Sequence, residues 1–247
     1  MLEIKNLTLK IKNQLILDGV SLSVKPQTIT VIIGRNAAGK STLLSCLNGE
    51  RKYTGQISLC GKDLSLLKAR EKARLFSLMP QHLPSPDITG EHLVRLGRTP
   101  YLDTGKHFTA RDKEECKKAV SLTGAENLLS KKVSEMSGGE KQKIFLAMIL
   151  AQDTDLIAFD EPASFMDIPH EREFYVLLTD TVQKHKKTAL VVMHDLTRAV
   201  QLADNIAVMD NGKIVMYGST DEVVRSGIIE KIFDVTRVEL KGLTVYR

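Results

Sequence analysis

Short apolar runs separated by turn residues fill the first fifty positions. Leu2 to Lys12 predicts one or two strands with polar interruptions. Val20-Ser21-Leu22-Ser23-Val24 alternates with period two and stops before Pro26, the pattern of a half-buried strand. Ile29-Thr30-Val31-Ile32-Ile33 is short, β-branched and apolar, which suits a strand buried on both faces, as in parallel sheets. It runs straight into Gly34. From Lys40 the residues favour a helix that stops at Asn48-Gly49.

The same pattern returns far downstream. Asp155 to Asp160 and Thr188 to Met193 predict two more buried strands. Helical stretches lie between and after them, at Glu171 to Lys184 and Leu196 to Ala203. Strands alternating with helices at this spacing imply βαβ units and a parallel sheet. Ile206–Asp210 and Lys213–Tyr217 flank Asn211-Gly212, the signal of a type I′ hairpin. Between about Leu83 and Ala151 the chain is charged and helix-rich with no clear buried strand, which predicts a helical insert in an α/β body.

Composition narrows the class. With 247 residues, 43% hydrophobic and 26% charged, the chain is that of an ordinary globular protein of one or two domains. The best apolar run, Ile144 to Ala151, has eight residues, well short of the roughly 18 that span a bilayer. The charged N-terminus predicts no signal peptide. Three widely spaced cysteines argue against a disulfide framework or a zinc site and fit a reducing cytoplasm. A net charge of +5 suits a slightly basic solvated surface or an anionic ligand, and does not choose between them.

Gly34-Arg35-Asn36-Ala37-Ala38-Gly39-Lys40-Ser41 carries the chemistry. Its glycines let the backbone curl so that successive N–H groups point at a phosphate chain. Lys40 adds a point charge and Ser41 a hard oxygen for Mg²⁺. A buried strand before and a helix after supply the context this loop requires. The strand Leu156 to Phe159 ends in Asp160 and Glu161, two carboxylates able to hold Mg²⁺ and to polarise an attacking water. Ser137-Gly138-Gly139-Glu140 has capping-box spacing at the start of an apolar helix. Two glycines in a first helical turn cost about 1 kcal/mol each relative to alanine. An anion brought to their N–H groups would justify them.

These motifs in this order, with His194 at a later strand end, resemble the ATP-binding cassette (ABC) ATPases over essentially the whole chain. The resemblance implies a P-loop NTPase (RecA-like) α/β core with a mostly parallel sheet, an antiparallel β-subdomain and an inserted helical subdomain at about 83–151, together one cassette spanning 1–247. It implies ATP and Mg²⁺, held by Gly34 to Thr42, with Asp160 and Ser41 on the metal and Glu161 as general base. Gln81 would be the glutamine-loop residue that contacts Mg²⁺ or the attacking water. Ser137, Gly138 and Gly139 would hold the γ-phosphate of ATP bound in a partner chain, Asp167 would be the D-loop aspartate, and His194 would reach the γ-phosphate.

The sequence departs from the family pattern in four places. Ala37 replaces a common glycine and Met136 and Met166 replace leucines. Ile11 stands where an aromatic ring usually stacks on adenine.

Chromosome-organising and DNA-repair relatives insert coiled coils between the two phosphate motifs; here Thr42 to Met136 lacks heptads. Translation-factor relatives carry two cassettes, exporters often a fused membrane domain. One cassette without a span is the arrangement of importers. Gly97-Arg98-Thr99-Pro100-Tyr101 resembles cassettes serving ferric-siderophore, haem and vitamin B12 uptake. The resemblance therefore implies a head-to-tail pair of cassettes on integral membrane permease subunits at the cytoplasmic face of the cell membrane. A substrate-binding protein would be an indirect partner, and no nucleic acid is expected. The alternatives are a non-transport ATPase acting on nucleic acid or ribosomes, or an exporter's cassette.

Overall fold

The computed structural model describes residues 1–102, 107–164, 166, 168–240 and 243–247. The chain forms two compact units, one from Met1–Leu67 with Val182–Arg247, the other from Lys68–Thr181.

In the first unit, β1 (Leu2–Ile11) and β2 (Gln14–Val24) form a hairpin closed by Lys12-Asn13. The first of those turn residues has φ 55°. Strand β3 (Ile29–Gly34) is buried at every position, as its β-branched run requires. It leads through the Gly34–Gly39 loop into α1 (Lys40–Leu47). Strands β4 (Thr54–Leu59) and β5 (Lys62–Asp63) complete an antiparallel sheet in the order β2-β1-β4-β5.

The second unit opens with α2 (Ala69–Lys72) and β6 (Phe76–Met79), then α3 (Gly90–Leu96), α4 (Ala110–Thr123) and α5 (Gly138–Ala151). Strand β7 (Leu156–Asp160) pairs in parallel with β6, and α6 (Ile168–Gln183) follows. Strand β6 escapes a reading of hydrophobic pattern because it is only four residues long and contains a serine. Its Ser77 is buried by a 2.8 Å hydrogen bond to Thr154.

The chain returns to the first unit with β8 (Thr188–Val192), α7 (Leu196–Leu202), β9 (Asn205–Asp210) and β10 (Lys213–Ser219). Strand β3 lies between β8 and β9, parallel to both, and β10 is antiparallel to β9. Helices α8 (Thr220–Arg225) and α9 (Ile228–Phe233) and a hairpin of β11 (Arg237–Leu240) and β12 (Leu243–Tyr246) finish the chain. That last hairpin also has no counterpart in the sequence reading. Among the described residues, no helix is long and apolar enough to cross a membrane.

Gly97-Arg98-Thr99-Pro100-Tyr101 has a structural job in the second unit. A Cβ on Gly97 would sit 2.2 Å from the Met148 carbonyl oxygen, so only glycine lets α3 end against α5. Arg98 is buried. It donates to Asp112 at 2.9 Å and to the Ala151 carbonyl at 2.8 Å, with its guanidinium 4.0 Å from the Tyr101 ring centre. Arg70 and Arg74 each donate to the Pro100 carbonyl at 2.8 Å. The motif therefore locks α3, α4 and the end of α5 together.

Candidate nucleotide site

Each unit carries its own candidate motifs. In the first, β3 ends and the chain turns through Arg35, Asn36 and Ala37, all exposed, into buried Ala38, Gly39 and Lys40. Gly39 has φ 104°, and a Cβ there would lie 2.9 Å from a Leu17 methyl and 3.1 Å from the Ile16 carbonyl oxygen. Lys40 Nζ donates to the carbonyls of Gly34 at 2.7 Å and Arg35 at 3.1 Å, which holds the ammonium inside the curl. Ser41, in the first turn of α1, is exposed. An ammonium, helix N-terminal N–H groups and a hydroxyl in the first helical turn fit a polyphosphate with a hard cation.

The Asn211-Gly212 turn, with φ 44° and 78°, supports this loop. Gly212 N donates to the Ala38 carbonyl at 3.1 Å and Gly212 O accepts from Asp18 N at 2.9 Å. The turn is plain in the sequence; its role as a prop for the phosphate loop is not.

Ala37 has φ 64°, a left-handed conformation costing a residue with a Cβ about 1–2 kcal/mol. Glycine gives back about 0.5–1 kcal/mol of that through its freer unfolded chain. Ala37→Gly should therefore stabilise the protein by up to about 1.5 kcal/mol, read as a higher urea midpoint. A lower midpoint would refute the strain argument.

Parallel register places His194. Ile32 pairs with Val192, so His194, two residues further on, stands level with Gly34 at the strand ends. It is exposed, and Asp195 next to it caps α7 by accepting from Arg198 N at 2.9 Å. Ile11, half-buried, ends β1 opposite Gln14.

In the second unit the same logic joins residues 80 positions apart. Met79 pairs with Phe159, so the chains leaving β6 and β7 carry Gln81 and Glu161 to the same level. Gln81 Nε2 donates to Glu161 Oε2 at 2.7 Å, and the Ser164 hydroxyl reaches the same oxygen at 3.3 Å. Glu161 has φ 50°. A carboxylate held in sparsely populated backbone by two neighbours is the kind of strain that clusters at functional sites. Asp160 ends β7 directly before it, half-buried. Asp167 lies outside the described residues.

Ser137 caps α5 and forms the full box: it accepts from Glu140 N at 3.3 Å, and Ser137 N donates to Glu140 at 2.8 Å. Lys131 Nζ donates to both Glu140 oxygens, at 2.8 and 3.0 Å, and together with the Ser137 N–H holds that carboxyl down at about 2. The ion pair offsets a negative charge that would otherwise repel an anion at this helix end. Gly138 and Gly139 differ from Gly39 and Gly97. Neither has a positive φ; a Cβ on Gly138 would meet nothing within 4 Å, and one on Gly139 only the His170 ring at 3.7 Å. The described chain does not require these glycines, so their helix cost is offset only if something outside it approaches closely.

A phosphate loop between a parallel strand and a helix, with strand-end carboxylates and a second open helix N-terminus, defines the class of P-loop nucleotide hydrolases. The comparisons then place the chain. The ABC transporter family profile matches residues 17–164. The chain is 35% identical to the petrobactin import ATP-binding protein FpuD of Bacillus anthracis, over 94% of this chain and 86% of that one. It is 33% identical to the ferric enterobactin transport ATP-binding protein FepC of Escherichia coli, over 93% and 85%. The chain belongs to the ABC transporter family and is one of its ATP-binding subunits.

Solved structures share its fold. An ATP-binding cassette of an ABC transporter in its ADP conformation superposes with a TM-score of 0.83 at 23% identity, covering 95% of this chain and 97% of that one. A dimeric cassette bound to ADP and Pi gives 0.77 at 22%, covering 89% and 99%.

Proposed function

We propose that this protein is the ATP-hydrolysing subunit of an importer for ferric siderophores or a related metal chelate such as haem or cobalamin. It would work as a head-to-tail pair, peripheral to integral membrane permease subunits at the cytoplasmic face, with a substrate-binding protein as indirect partner. The relatives named for petrobactin and enterobactin support the substrate class.

ATP phosphates lie against the Gly34–Thr42 loop, with Lys40 between the β- and γ-phosphates and Ile11 against the base. Ser41, Asp160 and Gln81 would hold Mg²⁺, which would supply neutralisation of phosphate charge when bound. Glu161 takes the proton of the attacking water, and Gln81 orients its carboxylate through the 2.7 Å hydrogen bond. His194, level with Gly34, reaches the γ-phosphate. Ser137, Gly138 and Gly139 receive the γ-phosphate of the other chain's ATP, with Asp167 between the sites. Binding two chains through one nucleotide gives ATP a differential affinity for the closed pair that ADP lacks.

The observation that carries this reading is the pair of glycines at the start of α5 that the described chain does not require. The test is complementation. Ser137→Arg and Lys40→Ala proteins, each inactive alone, should regain ATPase activity on mixing, with one working site per mixed dimer. Mixed dimers that form and stay inactive would show a site contained in one chain.

A further inference from the structure

Gln142 lies on α5, five residues beyond Ser137, or about 7.5 Å along the helix. It is buried, with 7% of its surface exposed. Its Nε2 donates to the Pro162 carbonyl at 2.6 Å. That acceptor has no hydrogen to offer, so the amide orientation is set. Pro162 follows Glu161, the strained residue whose carboxylate Gln81 and Ser164 hold. The other end of the amide makes no bond: Gln142 Oε1 is buried without a partner among the described residues. A half-satisfied buried amide is worse for stability than an apolar side chain of the same size. Fold stability therefore does not account for it.

We infer that Gln142 is a positioning residue that ties the helix of Ser137-Gly138-Gly139 to the Glu161 turn of the same chain. This rests on the reading of Glu161 as general base and of Ser137–Gly139 as serving the partner's nucleotide. On that reading the two ends of this link face different ATP molecules. One hydrogen bond thus ties the helix that serves one site to the turn that holds the base of the other. A shift of a base by about 1 Å can cost about a hundredfold in rate without changing substrate affinity.

The test uses Gln142→Met, which keeps the volume and removes the donor, and Gln142→Glu, which points a carboxylate at the Pro162 carbonyl. Gln142→Met should melt within about 3 °C of the parent or above it, bind ATP with unchanged Kd, and lose about ten- to hundredfold in kcat. Gln142→Glu should lose more; if it fails to fold, Gln142→Met decides alone. Single-site dimers then locate the effect. Paired with a Lys40→Ala chain, a Ser137→Arg chain supplies Lys40 and Glu161 of the one working site. Gln142→Met in the Ser137→Arg chain should cut kcat at least about fivefold more than in the other chain.

Equal losses in both placements, a weaker Kd with unchanged kcat, or a melting drop that accounts for the lost activity would overturn the assignment. Failure of the shared-site reading looks different, because no single-site dimer would work even with Gln142 intact. The kcat and Kd of the Gln142→Met homodimer would still decide whether Gln142 aims Glu161.

Discussion

Glu161→Gln should bind ATP as the parent does, lose at least about a hundredfold in turnover, and accumulate as an ATP-bound dimer. General-base groups contribute about 10²–10⁴-fold. The substitution removes a basic oxygen and keeps size and shape, so the backbone at φ 50° meets no new clash. Lys40 and Ser41, the proposed phosphate and metal ligands, are not changed by the substitution. Gln81 at 2.7 Å can still pair with the new amide after one of the two flips. If, as proposed, ATP bridges the two chains and its hydrolysis reopens them, blocking the chemical step leaves the closed pair. Gel filtration with ATP and Mg²⁺ beside a phosphate-release assay reads both halves. Hydrolysis at the parent rate would remove Glu161 from the mechanism.

Arg98→Leu should cost about 3–5 kcal/mol of stability, because breaking a buried pair leaves an uncompensated charge. Arg98 and Asp112 expose 2% and 4% of their surfaces, so water cannot replace the lost partner. Asp112 does more than pair: its other oxygen accepts from the Thr109 N–H at 3.0 Å and hydroxyl at 2.6 Å, capping α4. Burial pushes the Asp112 carboxyl up, but the Thr109 hydrogen bonds and the Arg98 guanidinium outweigh it and hold it below the usual range. A depressed folded value means stability present above the unfolded carboxyl's range and lost as pH falls through the folded value. Without Arg98 that loss should begin at higher pH. Adding Asp112→Asn should recover part of the loss, since Asn removes the charge and keeps the cap. Urea unfolding of the four proteins gives the cycle. A pair that behaves additively would mean the ion pair contributes little.

Local signals were legible and long-range ones were not. The Gly34–Ser41 loop, the Ser137/Glu140 box and the Asn211-Gly212 turn declare themselves because each is one stretch of backbone with its own geometry. The buried runs of β3, β7 and β8 declare themselves because parallel strands bury both faces. Strand β6 stayed hidden because four residues carry no period and Ser77 needs Thr154 to be buried. The Gly97–Tyr101 stretch pointed to a subfamily, yet nothing in the order of residues shows that Arg98 faces Asp112 or that α5 passes 2.2 Å from where a Gly97 Cβ would be.

By itself the sequence determined the class of chemistry. Phosphate recognition needs a glycine curl, a lysine and a helix end within eight residues, and such short spacing survives any arrangement of the rest. Only the tertiary structure decided which distant groups act together. Parallel register brings Gln81 to Glu161 and His194 level with Gly34, and helix packing brings Gln142 to Pro162. Those pairings depend on strand register and burial, which the whole chain sets at once and no local segment contains.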